Sequence, residues 1–251
     1  MIRTRRILSF VFLCAILLAA TTLATAETPA SATPAGDAAS TATTPTSTTH
    51  KWEYGPFVNY GNGVGDRSDF RFLWAGFQLG RTVFPPLHAG MLSGQFELSG
   101  NIMPLWQAYT PAPHLQTVFY PAPGCPTGGC STVVPVGGGT FHGVSVTPVI
   151  FRWNFLNHSE RFKPWFQGAG GVIYTTHKFP PTQLVPKGTP GGTSVWNFTP
   201  QGGLGFHYFV RPTRSIDLGV NAVHISSASL GDKNPGVNAS IQIQVGYTYW
   251  K

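Results

Sequence analysis

Near the end of the chain, within residues 222–238, a histidine stands two residues before a serine: His224 and Ser226. In an extended strand, residues i and i+2 project from the same face. The imidazole and the hydroxyl would then lie side by side, which is what a base-activated nucleophile needs: the ring takes the hydroxyl proton as the oxygen attacks. The same pair in an ordinary polar position would be two hydrogen-bonding groups and nothing more. The element that carries the pair, and the face on which it puts them, are the context in which the two readings are weighed.

That element is one of a series. From Trp52 onward the sequence alternates with a period of two. In residues 195–210, Trp196, Phe198, Leu204, Phe206, Tyr208 and Val210 share one parity, and Asn197, Thr199, Gln201, Gly203, Gly205 and His207 share the other. The last such segment sets Ile241, Ile243, Val245, Tyr247 and Tyr249 against Ser240, Gln242, Gln244, Gly246 and Thr248. Strict alternation marks strands with one apolar and one polar face. The pattern predicts strands over residues 52–62, 68–82, 87–101, 140–155, 161–177, 194–211, 214–226 and 237–250. Most reach or exceed the roughly 9–11 residues that cross a bilayer as a strand. An even number of long amphipathic strands, joined by alternating short and longer connections, predicts an all-β fold. That fold is an eight-stranded antiparallel transmembrane β-barrel, with the polar parity facing its lumen. On the seventh strand Leu218, Val220, Ala222, His224 and Ser226 share the apolar parity, so the candidate pair faces lipid. A polar pair in that position is costly unless it is used, or unless both residues sit in the interfacial zone, where polar groups are tolerated, and parity alone leaves both readings open.

Composition agrees with a surface that does not meet water. Charged residues make up 10% of the chain and aromatics 13%, with 30 glycines, whereas soluble domains are about a quarter charged. The net charge is +7, and three of the sixteen basic residues are Arg3, Arg5 and Arg6. The remaining excess suits an anionic membrane surface. No Lys/Arg cluster follows Arg6, so nucleic acid is not an expected partner. Residues 1–26 read as a secretory signal, with a basic start, an apolar stretch Ile7–Ala20 and a small-x-small site at Ala24-Thr25-Ala26. Residues 27–50, nearly all Thr, Ala, Ser and Pro, read as a disordered leader. Residues 51–251 form the barrel. In an exported chain Cys125 and Cys130 are expected to form a disulfide. Zinc there would need two further ligands, and no histidine spacing elsewhere suggests a metal.

His224-Ile-Ser226, Ala228 and Asn234-Pro-Gly-Val-Asn238 resemble the signature of the outer-membrane lipid A 3-O-deacylases (PagL type, or acyloxyacyl hydrolase-like proteins). Thr147–Arg152, Lys163–Gly171 and Thr199–Gly205 extend the resemblance, which is strongest from the fourth strand onward. It implies an esterase of the bacterial outer membrane that acts on the lipid A of lipopolysaccharide among outer-membrane lipids, with no cofactor. Ser226 would be the nucleophile and His224 its base. The residue that orients the imidazole is an acid in the best-known members and falls on Asn238 here, with Asp232 as the alternative acid. The resemblance gives the oxyanion to the Asn234 side chain and a backbone N–H near Ser229. The family usually has Asn directly after the nucleophile and Gly two residues later, where this chain has Ser227 and Ser229. A non-catalytic barrel of the same fold, and a homodimer, stay open at this point.

Overall fold

The computed structural model describes residues 51–112, 114–120, 123–136, 138–180, 194–228 and 238–251. The expected signal and leader lie outside the described residues. The strands are β1 (Trp52–Gly63), β2 (Arg71–Thr82), β3 (Gly94–Tyr109), β4 (His114–Tyr120), β5 (Cys130–Val136), β6 (Thr140–Phe155), β7 (Phe162–Phe179), β8 (Ser194–Phe198), β9 (Gln201–Arg211), β10 (Arg214–His224) and β11 (Ala239–Trp250). Antiparallel pairing runs β6-β3-β2-β1-β11-β10-β9-β7, and a β6–β7 ladder closes the ring. β8 and β9 both pair with β7. They are one crossing interrupted at Thr199-Pro200, where proline has no N–H to give the ladder. The result is a closed, eight-stranded antiparallel barrel.

Its polarity is the reverse of a soluble barrel. Val58, Tyr60, Phe77, Leu79, Ile102, Phe151, Leu204, Val220 and Ile243 are exposed, while Glu53, Asn59, Gln78, Glu97, Arg152, Gln167, Asn221 and Gln242 are buried. Such a surface is stable only where the outer solvent is lipid.

The alternation does not run unbroken. β3 was expected over residues 87–101 but occupies Gly94–Tyr109. Residues 87–93 instead form a tight connection, closed by the Leu87↔Gly94 bridge and a 3-10 turn at Gly90–Leu92. Register shifts between Met103 and Trp106 on β3, and between Val146 and Val149 on β6, reverse the parity partway along each strand. Pro104 and Pro148 sit in these irregular stretches, where a strand tolerates a residue that cannot donate. The segment expected as one long loop, 102–139, contains the end of β3 and the β4–β5 hairpin. The Cys125 and Cys130 sulfurs are bonded at that hairpin, with Cα atoms 5.1 Å apart.

The lumen has two tiers rather than the uniformly polar lining expected. Toward the end with the tight connections, Arg152 donates to Glu53 (2.9 Å), Glu97 (3.3 Å) and Gln167 (2.9 and 3.1 Å). Gln78 donates to Glu53 and Asn154 to Glu97. Gln167 donates to Asn221 and Asn221 to Gln244, at 3.0 and 2.9 Å. His207 pairs with Asp217 at 2.7 Å, and Asp217 also accepts from Ser215 and Thr248. Together these contacts reach every crossing of the ring. Toward the other end the interior is mostly aromatic, with Arg67, Asn197 and Asn238 buried at the same end. Phe70, Phe72, Trp74, Trp106, Phe141, Phe179, Val223 and Ile225 form a buried cluster. The Phe179 ring lies 5.3 Å from both Trp106 and Phe141.

Arg152→Gln removes the cation between two buried carboxylates. It is expected to cost about 3–5 kcal/mol of unfolding free energy, measured by urea titration of the protein in lipid vesicles. A change below about 1 kcal/mol would mean that the polar tier contributes little to closure.

Candidate active site

β10 carries the candidate pair out of the barrel wall. Ile216, Leu218, Val220 and Ala222 are exposed, and Ser215, Asp217, Gly219, Asn221 and Val223 are buried between them. His224 continues the outward parity and is partly exposed, as is Ser226. Ile225 between them points inward and is 1% exposed within the aromatic cluster. The packing that fills the barrel therefore holds the residue between the two candidate side chains.

The backbone here is fastened from both sides. The His224 N–H donates to the Pro200 carbonyl at 3.0 Å, Ile225 N–H to the Asn238 carbonyl at 2.8 Å, and Ser226 N–H to the Phe198 carbonyl at 3.0 Å. Phe198 N–H returns a bond to the Ser226 carbonyl at 2.7 Å. Alternate amides thus reach the two flanking crossings, which is the signature of an extended chain inside a sheet. The segment stays extended through Ser226 although β10 ends at His224. Pro200 interrupts its own strand, yet its carbonyl still holds His224.

After Ser226 the chain turns. Ala228 has φ 44°, and its N–H donates to Ser226 Oγ at 3.3 Å. The hydroxyl oxygen therefore accepts a backbone N–H from the turn that follows it. Among the described residues, neither ring nitrogen of His224 makes a hydrogen bond. Imidazole and hydroxyl share a face without being bonded to one another.

Asn238 takes the other face. It is buried with Ser240 and Gln242, and its Oδ1 accepts from Arg67 Nε at 3.0 Å. Its amide makes no hydrogen bond to His224. What it offers the site is its main-chain carbonyl, bonded to Ile225. Arg67 itself stacks over Phe70 at 5.1 Å. Nothing in its Gly-Asp-Arg-Ser setting distinguishes it from a turn arginine in sequence, and its importance appears only when β1 and β11 come together. Ser229 and Asn234, the expected oxyanion donors, and Asp232, the alternative acid, lie outside the described residues.

Comparison with known proteins adds a family. A family model described as lipid A 3-O-deacylase (PagL) matches residues 94–248. Among solved structures, the chain is similar to the outer membrane enzyme PagL, at 14% identity over 78% of this chain and 98% of that one, with a TM-score of 0.36. It is also similar to Neisserial surface protein A, at 11% identity over 79% and 96% with a TM-score of 0.42. For OprG from Pseudomonas aeruginosa the values are 10% identity over 80% and 96%, with a TM-score of 0.38. No curated protein matches the sequence. The family match spans most of the barrel, including the strand that carries His224. The chain belongs to the lipid A 3-O-deacylase (PagL) family and is a barrel of the bacterial outer membrane.

Proposed function

We propose that this chain hydrolyses a 3-O-linked acyl ester of lipid A, with Ser226 as nucleophile and His224 as general base, from the outer leaflet. The observation that carries the reading is that both side chains extend the lipid-facing row of β10 while the residue between them is locked into the interior. An ester at the boundary of headgroup and hydrocarbon is reached from that face and not from the lumen. The orientation is supported by the connections. Pro212-Thr213 and 156–161 are tight, whereas 110–139, 180–193 and 225–238 at the opposite end are longer, and barrels of this kind keep their longer loops outside.

In the proposed reaction Ser226 Oγ attacks the acyl carbonyl as His224 takes its proton. The tetrahedral intermediate collapses by breaking the bond to the sugar oxygen, and His224 returns the proton to that leaving oxygen. Water, deprotonated by His224, then attacks the acyl-serine carbonyl; the bond to Ser226 Oγ breaks, His224 returns the proton to that oxygen, and the fatty acid leaves. No cofactor enters these steps. The Ser229 N–H and the Asn234 side chain are the proposed donors to the oxyanion, on the strength of the family signature. Asn238 is proposed as a positioning residue. Its carbonyl fixes Ile225, and its side chain ties β11 to Arg67.

One observation favours a second reading, a non-catalytic barrel: the residue at the expected acid position is neutral and faces inward. Lipid A mass spectra from cells expressing the wild type or Ser226→Ala separate the two. The esterase reading expects the wild type to shorten lipid A by one acyl chain. Ser226→Ala and His224→Ala should each lower turnover by about a thousandfold or more, with the folded-barrel gel shift retained. Lipid A left intact by the wild type would sink it.

A second experiment addresses Asn238. Asn238→Ala leaves Arg67 Nε without its acceptor and is expected to cost about 1–3 kcal/mol of stability, with turnover falling alongside. Asn238→Asp keeps the acceptor and should hold both. Lost turnover at unchanged stability in Asn238→Ala would instead give the side chain a direct part in the chemistry.

A further inference from the structure

At the tight-connection end, two arginines lie on the lipid-facing parity. Arg81 follows Phe77 and Leu79 on the outer face of β2, and Arg214 precedes Ile216 and Leu218 on that of β10. Each is held over the ring opposite it in the sheet. Arg81 pairs in register with Trp52 and lies 5.2 Å from its ring, and Arg214 pairs with Tyr249 at 5.3 Å. Between them Tyr54 and Tyr249 stack at 5.6 Å with planes 13° apart. The strands run β2-β1-β11-β10, so the two arginines start from strands about 14 Å apart, three strand spacings, with the aromatic platform on the two strands between them. Lys51 and Arg211 are exposed along the same edge.

No side-chain carboxylate of the described residues stands on this edge to pair with the arginines. The nearest carboxylates in sequence, Glu53 and Asp217, point into the lumen and are held by Arg152 and His207. Among the described residues no carboxylate pairs with Arg81, Arg211 or Arg214. A guanidinium held over a ring by cation–π attraction still has N–H groups to offer a bidentate oxyanion. Exposed Trp and Tyr belong at the level of lipid headgroups, so these N–H groups lie where phosphates are.

We propose that this rim, across β2, β1, β11 and β10, is a binding surface for the headgroups of anionic phospholipids in the periplasmic leaflet. The inference goes beyond the esterase reading and rests only on its orientation of the barrel. The arginines and the aromatic platform make a preformed site, with the acyl chains running down over Phe77 and Leu79.

The test is electron spin resonance of the whole protein in phosphatidylcholine vesicles containing spin-labelled phosphatidylglycerol or spin-labelled phosphatidylcholine. The wild type should retain phosphatidylglycerol at its surface several-fold over phosphatidylcholine, about fivefold per engaged basic residue at most. Arg81→Gln with Arg214→Gln should bring the ratio close to one with the barrel still folded. Arg81→Lys with Arg214→Lys, which keeps charge but not stacking, should fall between. A ratio near one for the wild type, or an unchanged ratio in the glutamine variant, overturns the proposal. So does loss of the preference in millimolar inorganic phosphate at constant ionic strength, which would mean a site for free phosphate. A membrane-impermeant maleimide applied to intact cells carrying His158→Cys checks the orientation separately. Labelling there would put this rim outside and remove the periplasmic assignment, while the vesicle ratio would still report whether the surface selects anionic lipid.

Discussion

A backbone amide in hydrocarbon has no water to turn to, so a sheet that crosses a bilayer must pair its last strand with its first. Here β1 pairs with β11, the first strand with the last, and the β6–β7 ladder completes the ring. Once the ring is closed, each strand has one face toward lipid and one toward a narrow lumen, and the reversed polarity follows. Leu204 on the outside and Arg152 on the inside are consequences of the same closure. A buried arginine between two carboxylates would be a poor investment in a soluble core. In a lumen it satisfies groups that have nowhere else to point, and it draws β1, β3, β6 and β7 onto one centre.

Much of this was legible in the sequence because period two is a strong signal wherever it is unbroken. β10 and β11 alternate without interruption, and their faces could be assigned residue by residue. The faces of β3 and β6 could not, because an inserted residue near Pro104 or Pro148 moves every later side chain to the other face, and proline alone does not say that a bulge is present. The aromatic tier was hidden for a related reason. Trp106 faces inward only after the β3 register shift, and Phe70, Phe72 and Trp74 become a cluster only when β2 meets β3, β6 and β7. The break at Thr199-Pro200 left the parity of its flanks intact, so two strands read as one.

The candidate site divides in the same way. His224 and Ser226 follow from alternation on a clean strand, and their common face needed no tertiary information. Asn238 shows the limit of spacing. Its position places it next to the pair in the sheet, but its parity turns its side chain to Arg67 inside the barrel. The contact that links it to the site is a main-chain bond to Ile225, which no side-chain pattern encodes. Arg67 was equally silent, since its partner lies 171 residues away.

The two tiers of the lumen also respond differently to temperature. Apolar burial, as in the cluster of Phe72, Trp106 and Phe179, raises the heat capacity of unfolding and loses strength on cooling. Polar burial, as around Arg152, contributes to heat capacity with the opposite sign. Ile225 fastens the His224–Ser226 segment to the first tier and not the second. The apolar part of the barrel's grip on its candidate site therefore weakens in the cold, while the polar tier at the opposite end, tied by ions and amides, is governed by a different thermal law.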